Sequence, residues 1–230
     1  HWKSSKKVFD NRRFATGNVS VYKGDTLTVS KSLKDKGYSV VALNMANEYN
    51  AGGNAEGGAA AQEECLLRCS NYFQALNKDS LRPNRYFIEE FGAIYTPDVA
   101  IIRDARTYKF IPPYSLDFVA AAAYRNYEGF SNIPKEGYRE GVKEKLRTVL
   151  RMAYVTGHDC PVLGAWGCGA FGNNSDLVAQ CFKEVLFEQE FIGLFKHIAF
   201  AIINDHNGRN NFAVFKDILD RLNWKITKTD

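Results

Sequence analysis

"YSVVALNMANEYNAGGNAEGGAAAQEECL", residues 38–66, sets an apolar run against a glycine-rich loop and two adjacent acids. Residues 38–46 are nearly continuous in Val, Ala, Leu and Met, the pattern of a strand at the centre of a sheet with both faces covered. Glycine costs backbone entropy, so it is kept where the chain needs unusual dihedrals or close approach to another group. From Gly58 to about Asn77 helix formers take over, and the segment reads as strand, loop, helix. Glu63 and Glu64 near a helix start complement its positive end, where acids are favoured by about 0.3–1 kcal/mol. That reading competes with a chemical one, and the rest of the chain must decide between them.

Outward from this segment, strands alternate with helices. Residues 19–27 read as an alternating strand and a turn, 91–104 as strand, proline-punctuated turn and strand, and 115–124 as a second buried run. Residues 137–157 form an amphipathic helix, with Val142, Leu146, Val149, Leu150, Ala153 and Tyr154 on one face and Gly157 ending it. Residues 160–176 read as strand, glycine loop and a cap at Asn174 or Ser175, with helix continuing to about Phe191. Residues 197–203 are the last strand, and 210–224 close the chain as a helix. The expected fold class is α/β, a three-layer α/β/α sandwich whose central sheet is mixed and largely parallel. The 230 residues fit one domain, with 1–15 as an N-terminal extension. In such a sheet a ligand site belongs at the carboxyl ends of the strands.

Thirty basic against 26 acidic residues give a net charge of +4, which suits an anionic ligand. The basic runs "KSSKK" (3–7) and "KEKLR" (143–147) read as solvated faces, so direct DNA or RNA binding is not expected. Five cysteines, without a Cys-x-x-Cys pair, fit reduced thiols and hence the cytoplasm, with the nucleus or delivery into a host cell as open alternatives. No run of about 18 apolar residues marks a membrane span. The first residues are polar and lack a signal-peptide core. His158, His197 and His206 lack metal-ligand spacing, so no metal and no cofactor is expected. The protein is expected to be a monomer.

Two glycine loops follow central strands: "NAGGNAEGG" (50–58) and "GAWGCGAFGN" (164–173). Closely spaced glycines let backbone N–H groups converge on an anion, and a following helix adds its partial positive charge. A diphosphate gripped from both sides is the physical inference. Neither loop fits the Walker pattern or a dinucleotide-binding fingerprint.

These residues resemble the microbial-type poly(ADP-ribose) glycohydrolases, a branch of the macrodomain fold. That family has a triple glycine followed after a short gap by Gln-Glu-Glu. Here Gly52-Gly53-Asn54 is followed, after seven intervening residues, by Gln62-Glu63-Glu64. "NMAN" (44–47) and the second loop match the family too, and "GDTL" (24–27), "YTPDVAIIRD" (95–104) and "FAI" (200–202) fall in the expected order. The resemblance covers nearly the whole chain, and its one departure is Asn54 in place of glycine.

The resemblance implies an enzyme that hydrolyses the O-glycosidic ribose–ribose bond of poly(ADP-ribose). Such a bond needs a proton on the leaving oxygen, passes through an oxocarbenium-like state, and then needs an activated water. On the family's pattern Glu64 is the general acid/base. Glu63 positions the ribose hydroxyls and, as a like charge, raises its neighbour's pKa. The substrate's own diphosphate helps to stabilise the cation. The implied substrate-binding residues are Asn47, Gly52, Gly53, Asn54, Gln62, Gly167, Gly169, Ala170, Phe171 and Gly172, with Phe171 packing on the distal ribose. Asp25, Tyr95 and Asn204 are implied on the adenine side. The implied partners are poly(ADP-ribose) or ADP-ribosylated protein as substrate, with ADP-ribose as product and no membrane. Two alternatives stay open: a module that binds ADP-ribose without cleaving it, and a hydrolase of mono-ADP-ribose on a protein side chain.

Overall fold

A computed structural model describes residues 2–3, 14–76, 86–127, 130–134, 136–204, 208 and 210–225. The strands are β1 (Trp2–Lys3), β2 (Thr16–Lys23), β3 (Val40–Met45), β4 (Gly92–Arg103), β5 (Phe110–Ala121), β6 (Asn126–Tyr127), β7 (Phe130–Ser131), β8 (Cys160–Leu163), β9 (His197–Ile202) and β10 (Asn223–Lys225). The helices are α1 (Thr26–Asp35), α2 (Gln62–Arg68), α3 (Tyr72–Leu76), α4 (Tyr138–Val155), α5 (Ser175–Leu186) and α6 (Asn211–Leu219). Eight strands form one sheet in the order β1-β4-β5-β3-β8-β9-β2-β10, and β6 and β7 pair apart from it. The five inner strands, from β5 to β2, are parallel, whereas β1, β4 and β10 join antiparallel. The sheet is therefore mixed, with a parallel centre.

Alternation along the central strands builds two cores. Val41 and Leu43 of β3 and Ile198, Phe200 and Ile202 of β9 join α4, α5 and α6 on one face, where the Phe182 and Phe200 rings meet edge to face at 4.9 Å. Val40, Ala42, Ala199 and Ala201 point the other way and join α1, α2 and α3, where Tyr72 stacks on Phe118 at 4.6 Å. Burial on both faces is why β3 and β9 read as unbroken apolar runs rather than alternating ones.

Four local expectations change. Residues 92–103 are one strand, not two: a register shift between Thr96 and Val99 absorbs Pro97, and Asp98 takes a φ of +55°. A bulge is where a strand tolerates proline, because the ladder asks nothing of its missing N–H. The helix expected from Gly58 begins only at Gln62, after turns, and breaks at 69–71. There the Cys69 carbonyl accepts from the Ile102 and Arg103 N–H groups, so pairing with β4 replaces helix. The helix α5 stops at Leu186, short of Phe191. At the chain end α6 stops at Leu219, and Asn223–Lys225 become an edge strand on β2. Residues 4–7 of the first basic run, most of the expected extension, and His206 lie outside the described residues.

Candidate active site

The first glycine loop and the start of α2 are built around two carboxylates. Glu63 is 3% exposed and accepts on both oxygens: at Oε2 from the Asn47 N–H (2.7 Å), and at Oε1 from the Gly52 N–H (3.1 Å), the Asn44 amide (3.3 Å) and the Tyr86 hydroxyl (3.3 Å). Glu64 accepts at Oε1 from the Asn54 N–H (3.0 Å), while its Oε2 is buried and has no hydrogen-bond partner among the described residues. Gly53, at a φ of +61°, crosses directly over them, and a Cβ there would stand 2.3 Å from Glu64 Oε1. Gln62 is a strut. Its Oε1 accepts from the Met45 N–H (2.9 Å) and its amide donates to the Leu43 carbonyl (2.7 Å) and the Thr26 hydroxyl (3.1 Å), pinning α2 to β3 and α1.

Beside this, at the carboxyl ends of the parallel strands, lies a cleft of about 680 Å³. Its walls are residues 23–28 after β2, Ala60–Gln62 and Cys65 of the α2 start, the second glycine loop, and the end of β9 through Asn204. The second loop is tied down by Asn173, whose amide donates to the Tyr124 and Gly167 carbonyls (2.6 and 2.9 Å) and whose Oδ1 accepts from Tyr138 (2.5 Å). Gly167 has no room for a side chain, because a Cβ would stand 2.7 Å from that of Ala123. Gly169, Ala170 and Phe171 face the cleft, and their three successive N–H groups have no acceptor among the described residues. Gly169 and Phe171 are half-buried and Ala170 is exposed, and three successive open N–H groups at a glycine loop can converge on an anion. Asn174 caps α5 behind it through the Leu177 N–H.

The expectation that both loops grip a diphosphate is therefore corrected. In the first loop the N–H groups of Asn47, Gly52 and Asn54 are spent on the two acids, and Gly52 and Gly53 do not line the cleft. The Asn54 side chain turns back over Gly57 within its own loop, leaving the backbone N–H that a glycine would also supply. Asn47 Oδ1 accepts from the N–H groups of Tyr49 and Asn50, which shapes the turn. Gly172 makes the turn at the end of the second loop, its N–H donating to the Gly169 carbonyl. Asp25 and Asn204 line the cleft, the first as the α1 cap and the second accepting from the Phe212 N–H. Tyr95 does not. Its hydroxyl bonds Asp117 and His158 beside Ser39, at the amino ends of the parallel strands and away from the cleft. The sequence of the motif that Tyr95 opens gave no sign of which sheet end its side chain would serve.

Sequence reasoning missed Asn44, Tyr86 and the pair formed by Glu48 and Arg125. Asn44 had a signal, since an amide inside a fully buried strand must have a partner to hold. Glu48 and Arg125 are 2.6 Å apart and about one-tenth exposed, and their separation of 77 residues hides the pairing.

Burial, more than a like charge, raises a carboxyl here. It is Glu63 whose carboxyl is pushed from 4.5 to about 7, first by burial, against the pull of its donors, with the Glu64 charge contributing least. A folded-state pKa above the unfolded one means that the folded chain keeps a proton the unfolded chain has lost. The associated stability is complete below pH 4.5 and is lost as pH rises to about 7, amounting to about 3 kcal/mol. Urea denaturation of the parent and Glu63→Gln at pH 4 and pH 8 should show the parent-minus-variant difference falling by about that amount. Parallel pH dependences in the two proteins would remove the assignment.

The microbial-type PARG catalytic domain matches residues 2–104. No curated protein matches the chain. Among solved structures, the poly(ADP-ribose) glycohydrolase of Thermomonospora curvata is similar at 28% identity, covering 95% of this chain and 84% of that one, with a TM-score of 0.78. The same organism's enzyme bound to the inhibitor ADP-HPD is 30% identical over 87% of this chain and 78% of that one, at a TM-score of 0.73. The Deinococcus radiodurans poly(ADP-ribose) glycohydrolase in complex with ADP-ribose is 30% identical over 90% and 86%, at 0.71. With its paired acids, its two glycine loops and this likeness in sequence and fold, the chain belongs to the microbial-type poly(ADP-ribose) glycohydrolase family.

Proposed function

We propose that this chain hydrolyses poly(ADP-ribose), cleaving the O-glycosidic bond between ribose units and releasing ADP-ribose. The observation that carries the reading is the unequal treatment of the two acids. Glu63 has both oxygens committed to fixed donors, whereas Glu64 keeps Oε2 without a partner. A buried acceptor left open is costly in a fold, and a catalytic role accounts for it.

On this reading Glu63 is a positioning residue that holds the loop, and Glu64 does the proton chemistry. The Glu64 carboxyl donates its proton to the leaving ribose oxygen as the C–O bond breaks. The resulting carboxylate takes a proton from water, whose oxygen bonds to the oxocarbenium carbon, and the acid is restored. The diphosphate of the bound ADP-ribose lies on the N–H groups of Gly169, Ala170 and Phe171, and the distal ribose lies against the Phe171 ring.

The test is incubation with poly- and mono-ADP-ribosylated protein, with products separated by chromatography. Release of ADP-ribose from the polymer by the parent is the expected result. Failure of the parent to release it, beside tight ADP-ribose binding by calorimetry, would make the protein a reader; release from the mono-modified protein alone would move the substrate.

A further inference from the structure

We infer that the outer side of the first loop is a second binding surface, which holds the adenine of the ADP-ribose unit on the leaving side of the cleaved bond. The inference rests on the proposed activity and deepens it. The cleft, at about 680 Å³, is the size of an ordinary small-ligand site and takes one ADP-ribose unit. The next unit of the polymer must therefore lie outside it, beyond the catalytic acids.

Two of the eight large apolar side chains exposed among the described residues pair there, Tyr49 at 55% and Phe87 at 49%, and a third, Phe73 at 42%, borders the loop at Gly52. None of them lines the cleft. The Tyr49 and Phe87 rings stand 5.6 Å apart at 39°, and the Phe73 ring lies against Gly52. A solvated aromatic cluster has an apolar cost in water and fits a ligand that offers a π-face.

The surface is continuous with the site through rigid struts. Tyr86, next to Phe87, donates to the Asn47 carbonyl (2.9 Å) and to Glu63, and the Ile88 N–H donates to the Glu48 carbonyl (3.0 Å). Glu48 in turn fixes the Arg125 guanidinium, which lies 5.2 Å from the centre of the Tyr49 ring and 6.0 Å from that of Phe171. One cation thus links the outer aromatic surface to the ring that lines the cleft, and it suits the diphosphate that the leaving unit carries on its own adenosine. The chemistry that matches is a purine stacked on Tyr49 and Phe87, with its phosphates passing near Arg125.

The test uses Tyr49→Ala/Phe87→Ala and the aromatic exchange Tyr49→Phe/Phe87→Tyr. Removing a contact made equally in the ground and transition states raises KM and leaves kcat alone. For the double alanine variant KM for long poly(ADP-ribose) should rise about tenfold, within the range for loss of base stacking, with kcat held within about twofold. Calorimetric affinity for free ADP-ribose, which fills the cleft alone, should match the parent, and the aromatic exchange should keep the parent KM. An unchanged KM in the alanine variant of an active parent overturns the inference alone. So does an equal loss of ADP-ribose affinity, which would mark the rings as structural. A parent that releases no ADP-ribose from the polymer overturns both the activity and this surface.

Discussion

Glu64→Gln should lower the rate of ADP-ribose release by about 10²–10⁴-fold while leaving calorimetric ADP-ribose affinity close to that of the parent. The substitution keeps shape and volume and removes the transferable proton. An amide oxygen in the Oε1 position still accepts from the Asn54 N–H, so the loop stays anchored. The amide nitrogen then takes the place of Oε2, where no partner waits, and a buried unsatisfied donor costs about 1–3 kcal/mol. A modest fall in melting temperature is part of the expected result and does not explain the loss of rate. Affinity survives because the open backbone donors are in the other loop, at Gly169, Ala170 and Phe171. A variant that releases ADP-ribose at the parent rate removes Glu64 from the chemistry.

Much of this site was legible in the sequence, for a physical reason. Catalytic acids and backbone cradles depend on local chain geometry, and local geometry leaves its mark in glycines, caps and short spacings. The strand of residues 40–45, the cap at Asn174 and the order Gln62-Glu63-Glu64 after a glycine loop are of this kind. What stayed hidden was the partner of each group. The N–H groups of the first loop were read as donors to a diphosphate, yet they face the acids ten to sixteen residues on, because α2 folds back beneath the loop. Tyr95 has the right neighbours in sequence, but its hydroxyl reaches Asp117 and His158 at the amino ends of the parallel strands. Arg125 reaches Glu48 only through the order of strands in the sheet. The same holds for the chain end, where 223–225 look helical until β2 offers them a free edge. Periodicity reports which face is buried and says nothing of what lies opposite.

Gly53→Ala tests the loop itself, and its effect should approach that of removing the acid. At a φ of +61° an alanine bears about 1–2 kcal/mol of backbone strain. The larger consequence is collision, since the new Cβ would lie 2.3 Å from Glu64 Oε1, 3.1 Å from Glu64 Cδ and 3.3 Å from Glu63 Oε2. These atoms have no free retreat: Glu64 Oε1 is held by the Asn54 N–H, and Glu63 is held by four donors. The carboxylate pair must shift by most of an ångström or the loop must lift. A misplacement of about 1 Å at a reacting group costs about 10²-fold in rate, so kcat should fall by at least that much. Gly58→Ala separates the two causes. Gly58 shares the loop and the left-handed backbone, with a φ of +85°, but a Cβ there meets nothing within 4 Å. It carries the strain without the collision and should lose stability while keeping kcat within a fewfold. Equal loss of kcat in both variants would mean that loop strain, rather than contact with the acids, sets the rate. Parent kcat in Gly53→Ala would mean that the acids do not work from the positions described.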